Sequence, residues 1–198
     1  MTTGKIRSLI MCVGAAALLT ACTDGPPQSG VPDITLAQVQ PINLNVSRIE
    51  VVDKYVPPMK SPNYDHMFRQ PPLTVTHSLI NKQLVAGGPE KVLRVIVDDA
   101  SVIRTDLSAP DGFFSSLTPH PSERYHARVA IRFEMVNADA PDVVLAHAEV
   151  SSDREKTIYD DASPADRDAA FLDLDEGLVS DLSSGFSTVV KRTFGTVN

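Results

Sequence analysis

One stretch near the middle of the chain constrains the fold most, because its apolar and polar residues alternate over 126–135. Successive side chains of a β-strand point to opposite faces, so this period of two predicts a strand with one covered face and one wet face. The covered set is Ala127, Val129, Ile131, Phe133 and Met135. A sheet with one wet face is typical of antiparallel pairing, so the pattern predicts an antiparallel sheet with its core on one side.

Three further strands and a first helix follow from the same kind of pattern. The strands are 42–52 with a bulge near Ser47-Arg48, 92–107 with a kink at Asp98-Asp99, and 143–158. An apolar face at helical spacing predicts a helix that starts at Leu73, just after Pro72, and ends at the stop signal Gly87-Gly88.

A second helix is predicted to start at Ser163-Pro164, where a capping residue precedes a proline. Apolar residues then recur at spacings of three and four and form one stripe. The stripe is Phe171, Leu174, Leu178, Leu182, Phe186 and Val189. The resulting order, β-α-β-β-β-α, predicts an α+β fold: a four-stranded, mainly antiparallel sheet with two helices packed on one face.

The first 22 residues have the layout of an export signal. Lys5 and Arg7 form a positive region, and residues 9–19 form an uncharged apolar stretch that is too short to span a membrane. Leu19-Thr20-Ala21-Cys22 then resembles the bacterial lipobox, in which the signal is cut before a cysteine that carries lipid. The resemblance implies a lipid anchor at Cys22. The alternative is an ordinary secretory signal with a chance cysteine.

The predicted organisation therefore has three parts. A lipoprotein signal peptide occupies 1–21, a lipidated N-terminus and tether occupy 22–40, and a single α+β domain occupies 41–198. The tether is predicted because residues 23–40 begin with Gly, Pro, Ser and Asp and show no sustained apolar period.

Maturation before Cys22 would change both the charge and the thiol content of the chain. Loss of Lys5 and Arg7 takes the 18 basic residues to 16 against 25 acidic ones, so the formal net charge goes from −7 to −9. This balance argues against binding nucleic acid or lying flat on anionic headgroups. Cys12 is lost with the signal and Cys22 is used by the lipid, which leaves no thiol for a disulfide, a metal site or catalysis.

No catalytic, cofactor or metal site is predicted. The histidines lack the helical i,i+4 and the H-x-H spacing of a metal clamp, although His126 and His147 could meet across adjacent strands. The acid pairs Asp98-Asp99 and Asp160-Asp161 lack the pattern of a glycosidase or a calcium site. No G-x-S-x-G nucleophile elbow is present in the sequence. We therefore expect a protein that is not an enzyme.

Segment 55–72 is the predicted partner surface. It holds five prolines together with adaptable aromatic and thioether side chains, a composition found at binding sites. The predicted contact residues are Tyr55, Met59, Tyr64, Met67 and Phe68. The alternative is a loop that folds over the sheet edge and buries Met67 and Phe68. Phe113-Phe114 is a second candidate of the same kind.

The lipobox, the proline-rich tether and the element order together resemble small envelope lipoproteins that assist transport machines. Examples are the auxiliary lipoproteins of ABC-type lipid transporters and the lipoprotein partner in the lipopolysaccharide translocon. The similarity is one of architecture and covers the predicted domain. It implies a non-enzymatic accessory or assembly component of an envelope complex, with a protein partner besides the membrane. The alternatives are a periplasmic module that binds a lipid or another apolar ligand, and a lipid-tethered hydrolase.

The residues after Cys22 bear on which membrane would hold such a lipoprotein. In the sorting rule of enteric bacteria, aspartate directly after the lipidated cysteine keeps a lipoprotein in the inner membrane. Here that position is Thr23, and Asp24 comes one place later. The resemblance therefore implies the periplasmic leaflet of the outer membrane rather than the inner membrane.

Overall fold

Two long neighbouring strands, 92–106 and 121–137, form the centre of the fold. The computed structural model describes residues 34–108 and 118–197, so the signal, Cys22 and Phe113-Phe114 lie outside the described residues. The strands are β1 (Ile42–Leu44), β2 (Arg48–Asp53), β3 (Leu84–Ala86), β4 (Val92–Asp106), β5 (Pro121–Asn137) and β6 (Ala140–Tyr159). The helices are α1 (Pro72–Gln83), α2 (Pro164–Gly185) and α3 (Lys191–Phe194), with a 3-10 helix at Asp65–Met67 and a π-helix at Phe186–Val190.

The predicted α+β fold is confirmed. Strands β2, β4, β5 and β6 form a four-stranded sheet in that order, in which β2 is parallel to β4 and the other two pairs are antiparallel. The register of β4 against β5 shifts between Val97 and Asp99, where the sequence predicted a kink. The alternation in β5 also holds, since Val129 and Phe133 are fully buried in a core shared with both helices.

The predicted strand 42–52 is wrong in one respect, because it is two strands in two different sheets. β1 pairs in parallel with β3, whereas β2 pairs with β4, and the chain changes sheets near Ser47 instead of bulging. The backbone N–H of Ser47 donates there to the carbonyl oxygens of Glu90 and Lys91. β3 was missed, since Leu84 continues the helical spacing of α1. Leu84 nevertheless lies outside the helix, because it pairs with Ile42, which is far away along the chain.

The C-terminal helical backbone runs without a break through α2, the π-helix and α3. A capping box starts it: Ser163 Oγ accepts from the N–H of Asp166, and the Asp166 carboxylate accepts from the N–H of Ser163. The predicted stripe is confirmed from Leu174 to Phe186, but the buried residue after Phe186 is Val190, with Val189 only partly buried. The shift arises because a π-helix takes one more residue into its turn.

The helix approaches the sheet most closely at Gly185. A Cβ atom at this position would overlap with Cγ1 of Val150 on β6. A Cβ atom at Gly177, two turns earlier, would instead lie 3.2 Å from Nε of the Arg154 side chain. The missing side chain of Gly185 therefore allows helix and strand to pack.

The two main helices run in the same direction across the sheet. Phe68, just before α1, stacks on Phe171 near the start of α2, and Gln83 at the end of α1 donates to the carbonyl oxygen of Ser183 near the end of α2. The domain thus has two ends. We call the one that contains residues 55–71 and the starts of both helices the loop end. The other, the hairpin end, contains the turn at 138–139 between β5 and β6.

The described chain reaches the domain at the loop end. The backbone N–H of Ile34 donates to Oε1 of Gln70 at 2.8 Å. Ile34 and Val39 then line a groove along α2 together with Val179 and Ser183. Residues 34–40, the last part of the predicted tether, therefore lie along the helix and lead to β1 at the hairpin end.

Candidate functional site

Residues 55–71 extend the edge of the four-stranded sheet where β2 stops. The N–H of Tyr64 donates to the carbonyl oxygen of Val102 at 2.8 Å, and the N–H of Arg104 donates to that of Pro62 at 2.9 Å. Both acceptor and donor on β4 lie beyond Val97, the last residue that pairs with β2. The loop is therefore held against β4 through backbone hydrogen bonds.

The aromatic residues of the loop turn inward. Phe68 stacks on Phe171 with ring centroids 4.4 Å apart, and Tyr64 packs edge-on against Tyr125 at 5.1 Å. Tyr125 is fully buried and Phe68 is 4% exposed. This corrects the predicted partner surface, because Phe68 belongs to the core and Tyr64 packs as part of the same cluster. An irregular segment has no period to show which of its side chains face inward.

A cluster of ion pairs lies beside these rings and ties three elements together. The Glu123 carboxylate on β5 accepts hydrogen bonds from Arg167 on α2 and from the Tyr125 hydroxyl, and it pairs with Arg104 on β4 at 3.1 Å. Burial disfavours the charge of Glu123, but the hydrogen bonds from Arg167 and Tyr125 outweigh it and lower its pKa. Burial and the Glu123 carboxylate raise the pKa of Tyr125.

The thioethers of the loop, unlike its rings, face solvent. Met59 is 64% exposed, Met67 is 55% exposed and the nearby Val56 is 75% exposed. Tyr55 is half-buried, and its hydroxyl is enclosed without a hydrogen-bond partner among the described residues. Burial, together with the Asp65 carboxylate, raises the pKa of Tyr55. Of the five predicted contact residues, Met59 and Met67 are thus the ones that could meet a partner, and that contact stays a prediction.

The loop also differs from the rest of the chain in charge. Residues 54–70 contain Lys54, Lys60 and Arg69, all exposed, whereas their single acid, Asp65, is 2% exposed. Lys60 has no ion-pair partner among the described residues, while Lys54 lies 3.8 Å from Asp98. The exposed charged side chains within this segment are therefore all basic, although the chain as a whole has a net charge of −7.

A surface cavity of about 220 Å³ opens beside the loop and is lined by Tyr64, His66, Met67 and Arg104 among others. Arg104 is already bound to Asp106 and Glu123, and its guanidinium lies over the Tyr64 ring. The charge of the arginine that lines the cavity is thus already neutralised.

The histidines are dispersed over the domain. His126 is opposite Glu155 and His147 is opposite Glu134, so the proposed meeting of His126 with His147 does not occur. Three of the histidines pair with acids: His77 with Asp53 at 2.7 Å, His120 with Asp160 at 3.1 Å and His126 with Asp153 at 3.2 Å. Within the part of the chain that the structure describes, no three His, Cys, Asp or Glu residues form a group that could hold a metal ion.

Asp175 is a buried acid that sequence patterns missed. It lies on α2 and is 3% exposed, and its Oδ1 has no hydrogen-bond partner among the described residues. Burial raises its pKa to about 8. Its neighbours Leu174 and Leu178 predict the covered stripe, whereas Asp175 flanks that stripe and is buried nevertheless. An acid next to an apolar stripe is the one signal that could have drawn attention to it.

The hairpin end carries exposed apolar residues of another kind. Val143, Val144 and Leu145 follow one another on β6 and are 55%, 45% and 44% exposed. β6 is an edge strand, and its register against β5 shifts on both sides of Val136. These side chains are therefore exposed where the ladder between β5 and β6 is irregular.

No helix among residues 34–108 and 118–197 is long and apolar enough to cross a membrane. No protein-family model matches the chain, and no curated protein sequence matches it.

Solved structures that resemble the chain include several bacterial lipoproteins. A minor lipoprotein from Acinetobacter baumannii has 10% identity and a TM-score of 0.38 over 78% of this chain and 98% of that one. Rare lipoprotein B from Shewanella oneidensis has 12% identity and a TM-score of 0.35 over 71% and 90%. Lipoprotein B from Nitrosomonas europaea has 12% identity and a TM-score of 0.37 over 85% and 100%. TM-scores this low establish neither a function nor a partner for this chain.

Proposed function

We propose that this chain is a lipid-anchored, periplasm-facing lipoprotein that serves as a non-enzymatic accessory or assembly component of an envelope transport complex. One observation carries the proposal. The chain that follows the predicted lipid site, Cys22, reaches the domain at Ile34, beside a loop that exposes Met59 and Met67 on a packed base. A lipid anchor followed by a domain with an exposed contact surface suits a protein that works by docking.

The rest of the domain is consistent with such a role. Arg104, the cation of the loop cavity, is neutralised by Asp106 and Glu123. The open face of the sheet carries paired charges, such as Arg132 with Asp98 at 2.9 Å and Arg128 with Asp153 at 3.0 Å. The outer membrane is the proposed location, because Thr23 rather than an aspartate follows Cys22.

The anchor is tested by the substitution Cys22→Ser in cells fed a labelled fatty acid. We expect the native chain to carry label and the variant to remain unlabelled with its signal uncut. Label on the variant would overturn the assignment of Cys22. Separation of inner and outer membranes on a sucrose gradient tests the location, and recovery of the protein in the inner membrane would contradict it.

The accessory role is tested by purifying the lipidated protein from detergent-solubilised envelope. We expect a membrane-protein complex to copurify with the native chain and not with an unrelated lipoprotein expressed at the same level. Recovery of the chain alone, together with hydrolysis of any envelope component by the pure protein, would contradict the role.

A further inference from the structure

We infer that residues 34–40, which we name the strap, detach from α2 while the rest of the domain stays folded. Release adds the strap to the connection between the domain and its anchor, and it opens the groove along α2. The added length matters only if Cys22 carries lipid, so this consequence rests on the proposed function. The detachment is a property of the domain itself.

Few polar contacts hold the strap. Among the described residues, a single hydrogen bond joins it to the rest of the domain, from the N–H of Ile34 to Oε1 of Gln70 at 2.8 Å. Its other hydrogen bonds are internal, such as the one from the N–H of Val39 to the carbonyl oxygen of Leu36 at 3.1 Å. The strap contains no charged side chain, so no ion pair fixes it to the helix.

The apolar side chains of the strap are incompletely covered. Ile34, Leu36 and Val39 pack against the core, but each stays partly exposed, whereas Ile42 in β1 is only 3% exposed. A groove of about 320 Å³ is lined by Ile34 and Val39 of the strap and by Val179 of α2. Atoms that line unfilled space lack contact partners on one side, so dispersion attraction holds the strap weakly.

The strap ends where strand pairing begins. Ile42 is paired with Leu84 of β3, and the N–H of Val197 donates to the carbonyl oxygen of Asn43. Opening of 34–40 therefore breaks one hydrogen bond and no strand pair. Folded proteins open locally where buried contacts are few, and the freed backbone regains conformational entropy. The boundary at β1 makes the strap a unit that opens by itself.

Release of the strap changes how far the domain can move from its anchor. The seven residues 34–40 add at most about 25 Å to the connection when fully extended. The domain gains this reach without losing any strand or helix. A connection with two lengths lets an accessory protein meet a partner at more than one height above the bilayer.

Distances between two spin labels, measured by pulsed electron paramagnetic resonance, test the detachment on the full lipidated chain in lipid nanodiscs. The anchor occupies Cys22, so only introduced cysteines take the label. Thr35→Cys with Ser180→Cys places labels on the strap and on α2, at exposed positions that line the same groove. The matched control keeps Ser180→Cys and moves the other label to Asn43→Cys, an exposed position on β1.

We expect two populations for the pair 35 and 180: a narrow one at short distance and a broad one at longer distance, the latter in about 10% of molecules. The control pair should give one narrow population. Gln70→Ala removes the hydrogen bond to Ile34 and should raise the ratio of long to short distances by about two- to tenfold.

One narrow population for the pair 35 and 180, with and without Gln70→Ala, would overturn the inference. A broad population alone would overturn it as well, because the strap would then have no docked state. Two populations for the control pair would show that opening does not stop at β1, which also contradicts it.

Failure of the anchor is separable from failure of the detachment. If Cys22 carries no lipid, it takes up a third spin label and the mass of the chain lacks the acyl groups. That result overturns the proposed function and, with it, the change in reach. A correctly lipidated chain with one narrow distance between positions 35 and 180 overturns the detachment alone.

Discussion

At the loop end the exposed apolar side chains include Val56, Met59 and Met67, on a segment packed from beneath. At the hairpin end they are Val143, Val144 and Leu145, on a strand whose ladder is irregular. The loop end thus presents its apolar atoms from a base fixed by aromatic packing and ion pairs, whereas the hairpin end exposes them where regular pairing fails. Exposed apolar area alone therefore does not define a contact surface. The packing and pairing beneath the exposed side chains also matter, because they fix where those side chains lie.

The largest expected effect is on the free energy of unfolding, and it distinguishes a buried side chain of the loop from an exposed one. Phe68→Ala should lower the free energy of unfolding by about 3–4 kcal/mol, because it leaves a cavity against Phe171. Met67→Ala, one residue earlier and 55% exposed, should cost less than about 1 kcal/mol. Urea unfolding of both variants measures the difference, and similar losses would mean that the loop has no distinct base and surface.

The next effect concerns the ion cluster that fixes the loop end. Glu123→Gln should cost about 3 kcal/mol at pH 7, because it leaves Arg104 and Arg167 without their carboxylate. Since the folded pKa of Glu123 is lowered, its contribution is present above the pKa of the unfolded chain and is lost as the pH falls through the folded pKa. The gap between variant and native stability should therefore close in acid.

A matched control for this prediction is Asp153→Asn on the open face of the sheet. The Asp153 side chain is 42% exposed, so loss of its pair with Arg128 should change stability by less than about 0.5 kcal/mol. If the Asp153 variant loses as much as the Glu123 variant, the cluster at the loop end has no special structural role.

A smaller effect on the free energy of unfolding is expected from two glycines of α2 that lie toward opposite ends of the domain. Gly185→Ala should lower the free energy of unfolding by about 2 kcal/mol, because the added methyl group overlaps with Val150. Gly177→Ala, nearer the loop end, meets the side chain of Arg154 and should raise stability by up to about 1 kcal/mol through helix propensity. Thermal unfolding of the pair checks the contrast, which a loss in both variants would refute.

A pH-dependent effect is expected at Asp175, which lies between the two ends. Because the folded pKa is raised to about 8, the folded chain binds the extra proton between pH 3.8 and about 8. Stability should therefore fall as the pH rises through that window, by up to about 1.4 kcal/mol per unit. Asp175→Asn cannot ionise, so its urea midpoint should vary less over the window. Parallel pH profiles for both proteins would show that Asp175 is not the source.

The sequence predicted the regular parts of the fold because their periods report burial directly. The alternation around Val129 and Phe133 and the spacing from Leu174 to Phe186 each identify one covered face. The kink at Asp98-Asp99 is visible for the same reason, as a change of phase. Where a strict period exists, local pattern and tertiary burial agree.

The parts that sequence reasoning missed depend on contacts between distant segments. Leu84 leaves α1 because it pairs with Ile42, and Asp175 is buried although it flanks the apolar stripe of α2. In the loop, Met67 and Phe68 are neighbours in a stretch without a period, so nothing local tells which one turns inward. The candidate site was therefore predicted as a segment, and its division into base and surface needed the structure.

The π-helix at Phe186–Val190 determines where the C-terminal helix can lose a residue and still keep its buried side chains on one face. Phe186 and Phe194 are both buried although eight residues separate them, about 80° more than two turns of regular α-helix. The i→i+5 turn absorbs the surplus residue and returns Phe194 to the core. Removal of one residue within 186–190 would leave a spacing of seven, or about two regular turns, and so keep both rings on the same face. The helix therefore has room for a single-residue deletion here, whereas one between Leu174 and Leu182 would rotate the rest of the stripe away from the sheet.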